Sequence, residues 1–123
     1  FYPFEIVELP DVKTSRKLTE ALQKVAEGEM MLSRIQPADH LVLLDERGRE
    51  MTSREFATDL GNKAVTLPRQ LIFAVGGPYG FSPANEKLSL SKMTFPHEMV
   101  RLFFTEQLYR ACTILRNLPY HHD

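Results

Sequence analysis

The apolar positions of the chain fall into short, nearly continuous runs and longer ones spaced three and four apart. Phe4-Glu5-Ile6-Val7-Glu8-Leu9 alternates and predicts a strand, closed by Pro10-Asp11. Thr14 or Ser15 can cap a helix reaching to about Ser33. Leu18, Leu22, Val25 and Leu32 form its stripe, and Gly28 weakens it. His40-Leu41-Val42-Leu43-Leu44 is almost unbroken, as suits a strand covered on both faces. Asp45-Glu46-Arg47-Gly48 is expected to be a loop. Thr52-Ser53-Arg54-Glu55 matches a capping box, with Thr52 as N-cap and Glu55 three residues on. The helix it opens carries Phe56 and Leu60 and is expected to stop at Gly61-Asn62.

Gln70-Leu71-Ile72-Phe73-Ala74-Val75 reads as a second buried strand, running into the tight loop Gly76-Gly77-Pro78-Tyr79-Gly80. Ser82-Pro83 can start a short helical turn. Leu88-Ser89-Leu90-Ser91-Lys92-Met93 alternates with period two and predicts a strand. The longest helix is expected from about Pro96 to Asn117, with Pro96 near its first position. Pro119-Tyr120-His121-His122-Asp123 is a polar tail. Strands that alternate with helices argue for an α/β fold with a mostly parallel sheet flanked by helices. In such sheets ligands bind beyond the carboxyl ends of the strands. The segments to search are therefore residues 45–48, 76–80 and 93–96.

Composition narrows this picture. With 123 residues the chain suits one domain, residues 1–123. A 43% hydrophobic and 25% charged balance is that of a globular protein, not a disordered one. Fifteen Lys and Arg against 16 Asp and Glu leave a net charge of -1, which argues against a uniformly basic nucleic-acid binder. The lone cysteine, Cys112, excludes an internal disulfide framework and a Cys-rich zinc site. It fits a reducing compartment. No run reaches the roughly 18 apolar residues of a membrane span. No signal peptide is visible, and Phe1-Tyr2-Pro3-Phe4 lacks an initiator Met, so the chain is expected to be processed or N-terminally incomplete.

The glycine loop lacks both GxGxxG spacing and the GK[ST] of a P-loop, so a phosphate cradle is not supported. Adjacent glycines still allow close backbone approach to a flat ligand, although a structural turn uses them equally well. The bend from Leu88 to Phe95 joins apolar walls to backbone donors and acceptors, the mixture an adenine ring needs. A plain strand-to-helix turn capped by Thr94 is the alternative. On the long helix His97 and Arg101 share a face, and Glu106 and Arg110 stand in the acid-first order of an i, i+4 ion pair. Arg101 and Arg110 are about half a turn out of phase. Apolar residues spread round most of this helix, which points to a second subunit. His121-His122 lack the spacing of a helical zinc site, so no metal is expected. Cys112 reads as a core thiol. No Gly-x-Ser-x-Gly nucleophile elbow is present.

Taken together, four segments closely resemble the bacterial 23S rRNA (pseudouridine-N3)-methyltransferase H family, of the SPOUT class. They are Val75-Gly76-Gly77-Pro78-Tyr79-Gly80, then Leu88-Ser89-Leu90-Ser91-Lys92-Met93-Thr94-Phe95-Pro96-His97, then Arg101 with Glu106-Gln107-Leu108-Tyr109-Arg110-Ala111, and finally Pro119-Tyr120-His121. Family members carry a Met-led strand and a helix before the equivalent of Phe4, so roughly thirty residues are absent on the usual length of such elements.

The resemblance implies a trefoil-knotted fold, an exception to the rule that chains avoid knots. It implies a homodimer that uses S-adenosylmethionine in the cytoplasm, with no metal and no membrane. Its cofactor-binding residues carry over as Leu44, Gly76, Leu90, Ser91, Lys92, Met93, Thr94 and Phe95. Its target is a pseudouridine of 23S rRNA in the large ribosomal subunit, methylated at N3. Methyl transfer from a sulfonium needs mainly positioning, plus help in removing the N3 proton. His121, Tyr120 and Arg110 are the catalytic candidates, with His97 and Arg101 as RNA contacts. Arg16, Lys17, Lys24, Arg116 and the tail histidines can add basic surface, or an assembled ribosome can present the target. The alternatives are a SPOUT enzyme for tRNA or a ribose 2′-OH, and a non-catalytic RNA- or ribosome-binding module of the same fold.

Overall fold

A computed structural model describes residues 35–67, 69–75 and 84–122. Three strands and two helices make up this part: β1 (His40–Glu50), α1 (Ser53–Thr66), β2 (Leu71–Ala74), β3 (Glu86–Ser89) and α2 (His97–Leu115). The sheet runs β2-β1-β3, and both pairings are parallel. The α/β reading with a parallel sheet therefore holds. The strand expected at residues 4–9, the helix ending near Ser33, the glycine loop with Gly76 and the turn at Ser82-Pro83 lie outside the described residues. The trefoil knot that the resemblance implies is not shown by the described residues.

β1 is the central strand because it can be buried on both faces. Val42 points to one side and packs with Phe56, Ala57, Leu60, Leu88, Phe104, Ala111 and Cys112. Leu41 and Leu43 point to the other, against Ile35, Ile72, Ala74 and Ala84. The first cluster joins sheet, α1 and α2. At its centre Phe56, Phe73 and Phe104 meet at centroid separations of 4.5 to 6.1 Å. Aromatic packing of this kind adds directional preference to simple burial.

The expected loop at residues 45–48 is instead part of β1. Leu44 and Arg49 both pair with Leu88, so the intervening residues form a bulge. Asp45 shapes it by accepting a hydrogen bond from the Arg47 backbone N–H at 2.9 Å. Gly48 brings β1 against β3: a Cβ there would stand 2.6 Å from the Lys87 carbonyl carbon.

The capping box forms as read, with Glu55 N–H donating to Thr52 Oγ1 at 3.1 Å and Thr52 N–H to Glu55 Oε1 at 2.9 Å. α1 does not stop at Gly61-Asn62, however, but continues to Thr66. Gly61 serves as a helix contact, facing the Leu115 side chain of α2.

β3 begins earlier and ends earlier than the alternating pattern predicts. After Ser89 the serines bind the backbone and bend it. Ser89 Oγ, with one proton to donate, faces the carbonyls of Ser91 at 2.8 Å and Glu46 at 3.1 Å. The Met93 N–H donates to Ser91 Oγ at 3.0 Å. Such local bonds compete with a ladder. Pro96 is the N-cap of α2, not its first turn, and no side chain caps that end. The Thr94 hydroxyl is bonded to Glu46 instead.

α2 closes with a Schellman motif. Leu118 N–H reaches Thr113 O at 2.9 Å and Asn117 N–H reaches Ile114 O at 3.1 Å, with Asn117 at φ 56°. The helix is thus stopped before Pro119, by an asparagine that tolerates the left-handed region.

Candidate functional site

Past the carboxyl ends of β1 and β3 lies a cavity of about 360 Å³. The N-terminus of α1 supplies Thr52 and Ser53. The bend after β3 supplies Leu90, Ser91 and Phe95, and α2 supplies Phe103, Phe104, Glu106 and Gln107. Phe95 and Phe103 meet edge to face at 5.5 Å, giving the cavity an aromatic wall. This is the position expected of a ligand in a parallel sheet, and the volume is that of a small-molecule site.

The expected ligand-binding residues divide. Leu90, Ser91 and Phe95 lie on the cavity wall. Lys92, Met93 and Thr94 follow on the same bend but point outward, with Met93 73% exposed and Lys92 Nζ 3.9 Å from Glu50. Leu44 is half-buried against the main core, away from the cavity lining. Gly76 lies outside the described residues.

A second group gathers where α2 meets the tail. The Glu106 carboxylate accepts from Arg110 through Nε at 2.9 Å and pairs with Nη2 at 2.7 Å, both on Oε1. The Tyr120 hydroxyl donates to the same oxygen at 3.2 Å. Arg110 Nη1 stands 3.0 Å from His121 Nδ1, and its guanidinium carbon lies 4.8 Å from the Tyr120 ring centroid. Tyr109 meets Tyr120 edge to face at 5.0 Å.

Arg110, Tyr120 and His121 are thus brought together, as one hydrogen-bonded unit. The Schellman turn does this by folding residues 118–121 back along the helix. A guanidinium can only donate, so His121 Nδ1 is the acceptor, and a neutral ring then carries its proton on Nε2. That tautomer is assigned from the network. His97 and Arg101 sit on an exposed face in the first half of α2, as their spacing predicts, and outside this unit.

Sequence reasoning noticed Glu106 only as an ion-pair partner. Its role as the shared acceptor for Arg110 and Tyr120 depends on the turn at Asn117, which no spacing rule encodes. Ser53 and Gln107, whose side chains meet at 2.6 Å, were missed because 54 positions separate them.

Other charged groups are held in pairs within the fold. Asp39 is held below the usual carboxylate range by the Gln36 N–H and then by Arg69, against the effect of burial. Burial pushes Glu86 up, but Lys63 at 2.5 Å and His40 at 2.6 Å outweigh it and bring its value down. Burial pushes the Cys112 thiol up, which suits a core position and not a nucleophile. No group of His, Cys, Asp or Glu suited to a metal ion occurs among the described residues. No described helix is long and apolar enough to cross a membrane.

Comparison with known proteins gives this geometry its context. The family model described as "Predicted SPOUT methyltransferase" matches residues 1–121. The ribosomal RNA large subunit methyltransferase H of Parabacteroides distasonis is 56% identical over 128 residues, spanning 100% of this chain and 82% of that protein. Its counterparts in Porphyromonas gingivalis and Bacteroides thetaiotaomicron are 52% and 50% identical, with the same coverage.

Proposed function

Because this chain belongs to the SPOUT methyltransferase family, we propose that it acts as a single domain transferring a methyl group from S-adenosylmethionine to N3 of a pseudouridine in 23S rRNA. The relatives' names give large-subunit ribosomal RNA as the substrate of those proteins. The observation that carries the finer reading is the Glu106–Arg110–Tyr120–His121 unit, which adjoins the aromatic-walled cavity through Glu106.

The cavity suits the proposed cofactor by its chemistry. Phe95, Phe103 and Leu90 offer apolar surface for a purine ring, and Ser91 and Thr52 offer hydroxyls for its polar edges. When bound, S-adenosylmethionine supplies an electrophilic methyl group on a sulfonium. Lys92, Met93 and Thr94, whose side chains point outward on the same bend, are proposed to contribute through their backbone groups, and Leu44 and Gly76 enter the proposed cofactor-binding set on the resemblance alone.

The remaining steps belong to the chain's own residues. N3 of a pseudouridine must lose its proton, to solvent water or hydroxide, before the nitrogen can attack, and the resulting anion is spread over the neighbouring carbonyls. A cation and fixed donors beside it lower that barrier. Arg110 supplies the cation. His121 supplies an Nε2–H donor in the neutral tautomer that Arg110 enforces. Tyr120 offers a face on which a base can stack. His121 is therefore read as a donor to the developing anion and not as the base that removes the proton. His97 and Arg101 are read as contacts to the RNA backbone, where positive charge acts regardless of sequence.

We read the working enzyme as a metal-free, cytoplasmic homodimer that meets its target in the ribosome. Two copies double any basic face on a chain of net charge -1. Deleting residues 120–123 tests the reading. Calorimetry should show S-adenosylmethionine binding nearly intact, and methyl transfer to ribosomes should fall by about a hundredfold or more. Transfer at an undiminished rate would refute the tail's part in catalysis.

A further inference from the structure

Gln107 lines the cavity and bonds both Ser53 of α1 and Glu106 of the unit described above. Its orientation follows from donor chemistry. The Glu106 carboxylate can only accept, so the Gln107 amide nitrogen is the group that stands 3.1 Å from Glu106 Oε2. The amide carbonyl then faces the Ser53 hydroxyl, which donates to it at 2.6 Å. One Glu106 oxygen is thereby engaged, and the other takes Arg110 and Tyr120. The chain of bonds runs from the N-terminus of α1, held by its capping box, to His121 on the tail.

We propose that Gln107, anchored by Ser53, is a positioning residue that orients the Glu106 carboxylate and through it Arg110, Tyr120 and His121. Without the amide, Glu106 can rotate about its last side-chain bonds, and the groups bound to it lose a common direction. Gln107 touches neither the target base nor the reacting atoms in this role. It fixes those that do, and small displacements of reacting groups have large effects on rate. The inference rests on the methyl-transfer reading above.

Steady-state methylation of ribosomes carrying an unmethylated target decides it, with S-adenosylmethionine varied. Gln107→Leu should lower kcat by about tenfold or more while KM for S-adenosylmethionine stays within about threefold. Ser53→Ala should give a smaller loss in the same direction. Gln107→Glu carries the distinguishing readout. It places two carboxylates side by side, and like charges that close favour one shared proton. Its activity relative to the unmodified protein should rise as pH falls from about 8 to about 6, because protonation restores a donor toward Glu106.

A purely structural role predicts no such recovery, so a Gln107→Glu profile parallel to that of the unmodified protein overturns the proposal. A raised KM with unchanged kcat in Gln107→Leu also overturns it, since that marks a wall of the cavity. If Gln107→Leu fails to fold by circular dichroism, the Gln107→Glu profile decides alone. An unmodified protein that methylates no ribosomal RNA sinks the methyl-transfer reading and this inference together. An active one whose Gln107→Leu variant keeps its kcat overturns this inference only.

Discussion

At Gly48 the backbones of β1 and β3 come so close that no side chain fits between them. A Cβ would lie 2.6 Å from the Lys87 carbonyl carbon and 2.7 Å from the Leu88 nitrogen. Both are main-chain atoms of a paired strand, so they cannot rotate aside. Gly48→Ala should destabilise the fold by about 1–3 kcal/mol, the usual cost of overpacking, seen as a lower urea midpoint. An unchanged midpoint would show that the bulge yields. Gly61 makes the instructive contrast. Its nearest neighbour is a terminal methyl of Leu115 at 3.0 Å, a side-chain atom that can move. Alanine is also the better helix former by about 1 kcal/mol, so Gly61→Ala should cost far less than Gly48→Ala in the same melt.

Among the elements, α2 is asked to do the most. One side of it enters the core through Phe104, Ala111 and Cys112. Another side shows Leu102 at 60% and Phe103 at 38% exposure, with Met99 and Tyr109 also exposed. Adjacent helix positions point about 100° apart, so a single layer of sheet and α1 covers Phe104 but leaves Phe103 partly exposed, edge to face with Phe95. A second copy packed across a two-fold axis would cover this face. Light scattering should report a dimer at micromolar concentration. Leu102→Glu should shift it toward monomer, and a protein that is monomeric without any substitution would contradict the assignment.

At the scale of the molecule, the carboxylates whose values shift among the described residues all shift in one direction. Asp39, Asp45, Glu55 and Glu86 all have folded values below their ordinary ones. For Asp45 and Glu55 the leading cause is a backbone N–H, of Arg47 and Thr52 respectively. The unfolded chain therefore binds more protons in acid than the folded one. The stabilisation is complete above the ordinary carboxylate values near 4 and disappears as pH falls through the folded values. Lys63 is the reverse case. Burial lowers its value, but Asp59 and Glu86 more than offset this and raise it. Its contribution persists through neutral pH and fades only as pH rises through the folded value, above about 10. Thermal melts should be nearly flat between about pH 6 and about pH 8, then fall steeply below about pH 4. Melting temperatures that hold constant down to about pH 3 would contradict these pairings.

Much of this was written in local pattern. The near-continuous run at residues 40–44, the capping box at Thr52 and the spacing along residues 97–115 identify a central strand and both helices, because burial on two faces, a cap and a helical period depend only on near neighbours. Arg110 could be singled out for its i, i+4 partner and the tail for its residue types. Three things were decided only in three dimensions. The period-two serines after Leu88 bend the chain because their hydroxyls bond the backbone, which alternation does not reveal. Residues 45–48 bulge because β3 lies alongside and accepts Gly48 without a side chain. The catalytic candidates converge because Asn117 adopts the left-handed conformation and turns Tyr120 and His121 back onto Glu106 and Arg110. Composition and period depend on what each residue is and what stands a few places away. Convergence depends on which distant backbone comes near, and the folded packing alone supplies that.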